Sequence, residues 1–312
     1  MELELRYVYE VYQQGSFSKA AAKLFVTQPA VSLAVSKAEA QIGMPIFDRK
    51  TRPFSLTPAG KACIEMIEAP LAIEQDTKRK YQDLLGLRTG SIRIGGTALV
   101  NAYVLPRYIF GFQEKYPGIS FSLIDGSAYE LEEKLKRFEV DVIFSSHPKY
   151  IRENADYPGF MDEVLLAVPA SFAINERMRD YALTASDVLE GKHWKEGWPA
   201  VSLKDFKDLD YISIGADLPH RYDRLAALFQ EAGIEQNIRF CVPQQVTGFY
   251  LAEAGCGATI VSQYLIRQDS RLVYYKLGSP LAQRVSRMLV LKDRYIPLAV
   301  QAFIEYCGEH MR

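Results

Sequence analysis

A run of short and polar side chains between residues 27 and 37 is the first part of this sequence whose spacing points to a particular chemistry. Gln28, Ser32 and Ser36 recur every four residues, so they share one face of any helix that contains them. These side chains donate and accept hydrogen bonds without much bulk, and Lys37 adds a positive charge beside them. Such a face suits base edges and phosphates, because bulky apolar side chains would keep a helix out of the major groove.

These side chains are placed by a helix that the sequence predicts from about Gln28 to Ile42. Thr27 is a good N-cap, and Pro29 falls in the first turn, where its missing N–H group costs no hydrogen bond. Gly43 suits the left-handed conformation that ends many helices. The apolar residues recur every three or four positions and predict the buried stripe of this helix: Val31, Val35, Ala38 and Ile42.

Two further helices are predicted before this one. The first has its apolar face within residues 5–12, and Gly15 is suited to end it. Ser18 is expected to cap the second helix, which is short. The alanines at 20–22 would allow this helix to cross its neighbour closely, because their side chains are small.

Two short apolar segments with a basic tip follow over residues 44–57. Arg49, Lys50 and Arg52 at the tip can reach phosphates or the minor groove if the segments pair as a two-stranded wing. A small three-helix domain with a solvated basic loop is the alternative. The order of short helix, turn, polar-faced helix and basic wing favours a winged helix-turn-helix that binds double-stranded DNA.

The predicted DNA contacts form two groups. The base-edge contacts are Gln28, Pro29 and Ser32. The contacts to the backbone or through the wing are Thr27, Ser36, Lys37, Arg49 and Arg52.

The charge of the chain is divided unevenly along its length. Residues 1–62 carry eight basic and five acidic side chains, whereas residues 90–312 carry 25 basic and 28 acidic ones. A basic end on an acidic chain is a modest indication of a polyanionic partner. The start of the chain lacks the basic and apolar regions of a signal peptide, and no apolar run is long enough to span a membrane, so we expect a cytoplasmic protein.

A further helix begins at Thr57 and Pro58, an N-cap followed by a proline at the first helical position, and it can run to about Leu87. Its heptad-like seam is apolar at both ends and charged in the middle: Ile64, Ile67, Leu71, Glu74, Lys78, Tyr81 and Leu85. A surface helix on the larger domain is one interpretation of this pattern. Pro70 removes one backbone hydrogen bond, so we expect a kink there.

From Gly90 onward, strands alternate with helices, a pattern typical of α/β architecture with parallel strands. The first block has predicted strands at 91–95, 119–124 and 140–145, with helices at 105–116 and 129–138. The second block has predicted strands at 211–214, 239–242 and 258–261, with helices at 221–232 and 248–254. Two such blocks predict two α/β subdomains.

Four blocks of this sequence resemble the LysR-type transcriptional regulators of bacteria. They are GSFSKAA at 15–21, VTQPAVS at 26–32, IFDR at 46–49 and LTPAG at 56–60, in the order and spacing of that family. One departure is Ala38, where the family usually has a leucine before the glutamate that is Glu39 here. This change thins the core slightly and leaves the DNA face intact.

The resemblance implies an architecture and a set of partners. The fold class is α/β with an N-terminal winged helix-turn-helix, and the C-terminal region takes the bilobed fold of periplasmic solute-binding proteins. The implied partners are double-stranded promoter DNA, a small-molecule effector, RNA polymerase, and a second or further copy of the chain, paired through the long helix as a homodimer or homotetramer. No catalytic residue, metal or cofactor is expected.

The domain boundaries follow from the same resemblance. The winged module is placed at 1–57, the linker and dimerisation helix at 58–88, and the effector-binding domain at 89–312. Lobe I takes 89–161 and 268–312, and lobe II takes 162–267, so the chain crosses near Asp162 and returns near Gln268.

In such bilobed folds a ligand sits where strands end and helices begin, because free N–H groups and the helix dipole favour an anion there. The candidates are small or polar, although ordinary turn chemistry also explains each of them. In lobe I they are Thr97, Ala98, Gly126, Ser127, Ser145 and Ser146. In lobe II they are Gly215, Gln245 and Thr247.

Two features leave alternatives open. The segment between Ala173 and Val201 looks longer than in many relatives and carries His193 and both tryptophans, so it is either a lid over the cleft or a surface subhelix anchored by tryptophan. The four cysteines lack metal-ligand spacing and suit free thiols in a reducing compartment, with Cys241 and Cys256 as a possible redox pair.

Two other functions compete with the regulator. A solute-binding protein with a protein-interaction module would explain the two lobes but not the basic wing. An α/β enzyme would need a catalytic motif, and the four histidines lack a GxSxG, HExxH or GxGxxG partner in this sequence.

Overall fold

The computed structural model describes residues 3–48, 54–84, 90–215 and 224–311. The chain forms two compact units, Met1–Tyr81 and Gln82–Arg312. The elements that begin in the first unit are α1 (Leu3–Gln14), α2 (Phe17–Lys23), α3 (Gln28–Ile42), β1 (Phe47–Asp48), β2 (Ser55–Leu56) and α4 (Pro58–Asp83).

The three-helix core of the first unit follows from its pattern of apolar residues. Val31, Val35 and Ala38 of α3 are buried, as predicted, against α1 and α2. Gly15 and Gly43 both take left-handed backbone angles, with φ of 58° and 76°, where they end α1 and α3. The hydrophobic period therefore specified both the helices and their buried faces.

The cap of α2 differs from the prediction. Ser16, rather than Ser18, is the N-cap, and its side chain accepts a hydrogen bond from the Lys19 N–H group. Ser16 has extended backbone angles that bring its hydroxyl over the first turn. Ser18 lies inside the helix and is exposed.

Strands β1 and β2 pair antiparallel and form the base of the wing. The Glu39 carboxylate accepts hydrogen bonds from the N–H groups of Ile46 and Phe47, at 2.9 and 3.4 Å, and so joins α3 to β1. Thr57 caps α4, because its hydroxyl accepts from the Gly60 N–H group at 2.9 Å. The predicted wing tip, with Arg49, Lys50 and Arg52, lies outside the described residues.

Helix α4 corrects two expectations about the linker. It ends at Asp83, short of the predicted Leu87. Ile64 and Ile67, the first two members of the predicted seam, are buried in the core of the first unit, so they are not available to a second copy of the chain. The helix runs through Pro70, and the kink there stays a prediction.

The second unit contains two mixed sheets with helices on their faces. Its strands are β3 (Gly90–Gly96), β4 (Ile119–Asp125), β5 (Val142–Ser145), β6 (Ala155–Tyr157), β7 (Met161–Pro169), β8 (Ala182–Leu183), β9 (Asp210–Ile214), β10 (Asn237–Val242), β11 (Thr259–Ser262), β12 (Leu272–Lys276), β13 (Gln283–Val285) and β14 (Arg287–Val290). Its helices are α5 (Leu105–Lys115), α6 (Ala128–Lys136), α7 (Pro148–Glu153), α8 (Ile174–Arg177), α9 (Ala185–Leu189), α10 (Arg224–Ala232), α11 (Gln245–Glu253) and α12 (Leu298–His310).

The first sheet has the strand order β4-β3-β5-β14-β6. Strand β3 runs parallel to β4 and β5, as the α/β alternation predicts, while β14 is antiparallel to β5 and β6. Helices α5 and α12 cover one face, and α6 and α7 cover the other. A π-helical turn, Val100–Val104, leads into α5, a feature found often at functional sites.

The second sheet has the order β11-β7-β12-β8, with β13 paired to the start of β7. Strands β9 and β10 form a parallel pair that joins β11 through the bridge between Tyr211 and Ala258. Most of the other pairings in this sheet are antiparallel, because β7 and β12 are neighbours that run in opposite directions. The predicted parallel order therefore holds only for part of the second lobe.

The return of the chain to the first lobe corrects the predicted boundary. The chain leaves the first sheet after β6 and enters the second at Met161, next to the expected crossing at Asp162. Strand β12 still pairs with β7 and β8, well past Gln268. The strand that rejoins the first sheet is β14, so the return lies between Val285 and Arg287.

The sheet register separates the two candidate redox cysteines. Cys241 lies opposite Ser213, and Cys256 precedes Ala258, which lies opposite Tyr211 on the other side of β9. Two strand spacings, about 9.6 Å, already exceed the roughly 7 Å limit between bridged Cα atoms. Cys241 and Cys256 are both free thiols in this fold, on strands that are not neighbours.

The other two cysteines, Cys63 and Cys307, are buried, and burial raises the pKa of both thiols.

Among the described residues, none of the helices is both long and apolar enough to cross a membrane.

Candidate DNA-binding face and effector cleft

Helix α3 and its N-cap expose most of the predicted contact residues to solvent. Thr27, Gln28, Pro29, Ser36 and Lys37 are exposed, and Ser32 is half-buried. Arg49 and Arg52 lie outside the described residues.

The Thr27 hydroxyl does not make the hydrogen bond expected of an N-cap side chain. Thr27 occupies the N-cap position of α3, but its side chain makes no capping hydrogen bond. Within the described part of the chain, this hydroxyl is therefore left available for an external acceptor or donor. A phosphate oxygen at the positive end of α3 is a suitable partner.

One hydrogen bond orients the polar face. The Gln28 Nε2 group donates to Ser32 Oγ at 2.9 Å. Because Ser32 Oγ accepts this bond, its own O–H group stays a donor. Gln28 keeps its Oε1 acceptor and one N–H donor, the pair that matches N6 and N7 of adenine.

Two exposed apolar side chains near α3 were missed by the sequence-based prediction. Leu33 is 60% exposed on α3 itself, and Phe25 is 95% exposed in the turn before it. Phe25 also has a φ of 56°, which a bulky residue rarely adopts. The sequence-based prediction considers apolar side chains only as obstacles to the groove, although thymine offers an apolar methyl group there.

The strand ends of the first lobe bring three of the predicted ligand residues to one edge. Gly96 pairs with Asp125, and the Gly126 N–H group donates to the Gly96 carbonyl at 3.3 Å. Strand β5 ends at Ser145 on the other side of β3. Thr97, Gly126 and Ser145 therefore follow neighbouring strands of one parallel group, about 5 Å apart from strand to strand.

Several of these side chains already form hydrogen bonds with nearby backbone groups. Ser127 forms a capping box with Glu130 at the start of α6. Ser145 is buried, and its hydroxyl accepts from the His147 N–H group at 3.2 Å. Thr97 is exposed but accepts from the Val100 N–H group at 3.4 Å.

The remaining two candidates of this lobe are simpler. Ala98 is half-buried in the first helical turn after β3, and Ser146 is exposed after β5.

Asn101 is a buried polar residue of this edge that the sequence-based prediction missed. Its Nδ2 group donates to Asp125 Oδ1 at 2.6 Å and to the Gly96 carbonyl at 3.3 Å. Both partners are acceptors, so the amide nitrogen must face them. Asn101 thus links the ends of β3 and β4, which fixes the loops that carry Thr97 and Gly126.

The second lobe gathers its candidates in the same way. Gly215 has a φ of 75°, and its N–H group donates to the Val242 carbonyl at 2.7 Å. Gln245 begins α11, and its Oε1 atom accepts from the Ser262 N–H group at 3.0 Å. Thr247 is exposed. Of the three, Thr247 has the side chain that is most open to a ligand.

The two lobes meet close to these strand ends. Leu99 and Tyr103, in the helical turn after β3, pack against the core of the second lobe. The Met161 carbonyl at the chain crossing accepts from Tyr264 Oη at 2.9 Å and from Gln263 Nε2 at 3.3 Å. The start of the helix after β3 therefore lies beside the second lobe, as a ligand cleft between lobes requires.

Comparison with known families identifies both units. The model described as "Bacterial regulatory helix-turn-helix protein, lysR family" matches residues 3–61, and the "LysR substrate binding domain" model matches residues 85–312. The chain belongs to the LysR family of transcriptional regulators. It therefore has a DNA-binding helix-turn-helix and an effector-binding domain, and its family consists of regulators rather than enzymes.

Relatives of this LysR-type regulator match it along nearly its whole length. The HTH-type regulator YcgK of Bacillus subtilis (strain 168), itself uncharacterized, is 27% identical and aligns with 99% of this chain and 94% of its own. A probable RuBisCO transcriptional regulator of Gracilaria tenuistipitata var. liui is 29% identical over 96% of this chain and 93% of its own.

Solved structures of LysR-type regulators share the fold. CbnR superimposes with a TM-score of 0.60 at 19% identity and covers 100% of both chains. The effector-binding domain of QuiR, solved with shikimate, gives a TM-score of 0.57 at 18% identity over 71% of this chain and 97% of its own. At these identities the likeness concerns the bilobed, periplasmic-binding-protein-like fold alone.

The segment between Ala173 and Val201 is built into the second lobe of this LysR-type regulator. Strand β8 within it pairs with β12. His193 is buried, its Nε2 atom lies 2.6 Å from Gln263 Oε1, and the Trp194 indole N–H group donates to the same oxygen at 3.1 Å. Burial lowers the pKa of His193. These contacts fit the anchored subhelix better than a movable lid.

Proposed function

We propose that this LysR-type regulator binds an interrupted inverted repeat in promoter DNA, with one α3 helix in the major groove of each half-site. The observation that carries this proposal is the exposed polar face of α3. Gln28, Pro29 and Ser32 would contact base edges, and Thr27, Ser36 and Lys37 would contact the backbone. Arg49 and Arg52 would add wing contacts to phosphates or the minor groove.

The donor and acceptor left on Gln28 favour adenine in each half-site, because an amide matches N6 and N7 of that base. Duplexes selected from a random pool by the full-length chain test this assignment. Affinity measured from 50 to 200 mM salt should fall steeply, since each phosphate contact releases counterions. A weak salt dependence would instead support a protein-interaction module.

A homodimer is the proposed binding unit, and α4 provides a surface for it. Met66 and Ile73 are exposed and seven residues apart, and exposed Tyr81 follows eight residues later, so the three share one side of the helix. This stripe replaces the buried Ile64 and Ile67 as the proposed seam. Sedimentation of Ile73→Glu should show a shift toward monomer, and an unchanged dimer would exclude this side of α4.

The effector is proposed to bind between the lobes at the strand ends. Its contacts would come from Thr97, Ala98, Gly126, Ser127, Ser145 and Ser146 of the first lobe and from Gly215, Gln245 and Thr247 of the second. Closure of the lobes around the ligand would change the arrangement of the subunits and so the affinity for DNA. By linkage, DNA must change the affinity for the effector by the same factor.

A thermal-shift screen tests the effector site. Amino acids, organic acids and aromatic metabolites are suitable compounds, because a ligand that binds only the folded protein raises the melting temperature further as its concentration exceeds the Kd. A true effector should also change DNA affinity. A stabilising compound whose binding is unaffected in a Thr97→Val, Thr247→Val double variant would bind elsewhere.

One further partner and a location complete the proposal. RNA polymerase is the proposed downstream partner, since a promoter-bound regulator acts on transcription through it. The cytoplasm, where bacterial promoter DNA lies, is the proposed location. Co-purification of polymerase with the regulator on promoter DNA, but not on random DNA, is the corresponding test.

A further inference from the structure

One large apolar side chain, Leu33, interrupts the polar face of α3. It is 60% exposed, although leucine is among the residues most often buried in proteins. Its neighbours on the helix surface, three and four residues away, are Pro29, Ala30, Ser36 and Lys37. The proline ring and the Ala30 methyl group are the apolar groups among them, and they leave Leu33 60% exposed on the face.

The groups around Leu33 restrict what can cover it. Ser36, three residues from Leu33, is exposed, and Lys37, four residues away, forms no ion pair with any described residue. An apolar protein surface that covered Leu33 would have to bury these polar groups without partners, which is costly.

The major groove satisfies the whole face at once. Phosphates can pair with the Lys37 ammonium group, and base edges can bond the Gln28 amide. The apolar group that the groove presents is the 5-methyl group of thymine, and adenine on the opposite strand accompanies it. An exposed leucine in the middle of a DNA-facing helix therefore matches a thymine.

We propose that Leu33 determines specificity by contacting the 5-methyl group of a thymine at one position of each half-site. The inference rests on the proposed function, because α3 must lie in the major groove. It assigns a base to a side chain that lacks hydrogen-bonding groups.

The first experiment uses the full-length chain and chemically altered DNA. Duplexes selected from a random pool should carry a thymine at one position of each half-site. Replacing that thymine with deoxyuridine removes only the methyl group. We expect about a fourfold loss of affinity per half-site, the factor that corresponds to one buried methyl group. Deoxyuridine at thymines outside the contact should have no effect.

The second experiment couples the DNA change to the protein change. Leu33→Ala should weaken binding to the thymine duplex and should bind the thymine and deoxyuridine duplexes equally. Because Leu33 is exposed, this variant should keep the melting temperature of the parent. Leu3→Ala is the matched control, since Leu3 is 61% exposed on α1 and should retain full discrimination.

The outcomes separate this inference from the proposed function. If Leu33→Ala still prefers thymine over deoxyuridine, or if the parent does not, the inference is overturned while DNA binding by α3 stands. If Leu33→Ala changes the sedimentation of the free protein without changing discrimination, Leu33 contacts another copy and the inference is again overturned. Loss of the proposed function itself would appear as DNA binding that Ser32→Glu leaves unchanged.

Discussion

The two units of this regulator present their functional residues in opposite ways. In the first unit, the predicted contacts among the described residues lie on one helix and its N-cap, and Gln28 and Ser32 are bonded to one another. In the second unit, the predicted ligand residues follow several strands, and Ser127, Ser145 and Gln245 are already bonded to the local backbone. A site on one helix can be predicted from the spacing of its residues. A cleft is harder to predict, because residues of the same types also form turns.

The largest expected effect concerns the helix face. Ser32→Glu should lower DNA affinity by about 100-fold or more, because it places an unpaired carboxylate among base edges and phosphates. Leu3→Glu adds the same charge on α1, where Leu3 is 61% exposed, and should bind almost normally. Fluorescence anisotropy on a selected duplex gives both values. Equal losses would mean that net charge, rather than the face, controls binding.

A second effect concerns how tightly the first unit is packed. A Cβ atom on Gly60 would lie 2.1 Å from the Ile46 carbonyl oxygen, so Gly60→Ala should cost at least about 1–3 kcal/mol of stability. Gly308, inside α12 of the second unit, has open space around it, and alanine there should stabilise by about 0.5–1 kcal/mol. Chemical denaturation of both variants measures the difference. A stable Gly60→Ala protein would show that α4 can shift away from the wing.

A third effect tests the double role of the cleft residues. Gln245→Ala removes the acceptor of the Ser262 N–H group and should destabilise the second unit by about 1–2 kcal/mol. Thr247→Ala should leave stability unchanged and weaken effector binding, since that side chain is exposed. Thermal melts with and without effector separate the two roles. The contrast between the residues fails if both variants lose stability equally.

The smallest effect is a pH dependence of the second unit. Burial lowers the pKa of folded His193 below its ordinary value of about 6.5. Below about pH 6.5 the unfolded chain therefore binds a proton that the folded chain does not, and the free energy of unfolding falls until the pH reaches the lower folded pKa.

His193→Gln should remove this part of the pH dependence, and His310→Gln, at an exposed position, should retain it. Melting temperatures at a series of pH values from 5 to 8 provide the measurement. If the melting temperatures of all three proteins change with pH in the same way, the protonation of His193 does not differ between the folded and unfolded states.

Much of the fold was predictable because its elements are local. The spacing of Val31, Val35 and Ala38 gave the buried side of α3, and the alternation after Gly90 gave most strands and helices of the first lobe. The predictions were wrong where contacts between residues far apart in sequence determine the structure. Ile64 and Ile67 fit a heptad seam, but the core of the first unit covers them. Strand β12 follows Gln268 yet pairs with β7. The local sequence pattern does not specify the order of strands in a sheet, so it could not predict this pairing.

The same distinction between local and long-range contacts applies to the candidate sites. Motifs alone predicted the family, which the family models confirm. They also predicted the DNA-facing residues of α3, since one helix carries these at fixed angular positions, and that assignment stays a prediction. The sequence alone could not show that Asn101 ties Gly96 to Asp125, that Gln263 holds His193 and Trp194, or that Leu33 stays exposed. Helical geometry is fixed by neighbours along the chain, and these contacts depend on residues far apart in sequence. The tertiary structure therefore decided which side chains remain free to bind.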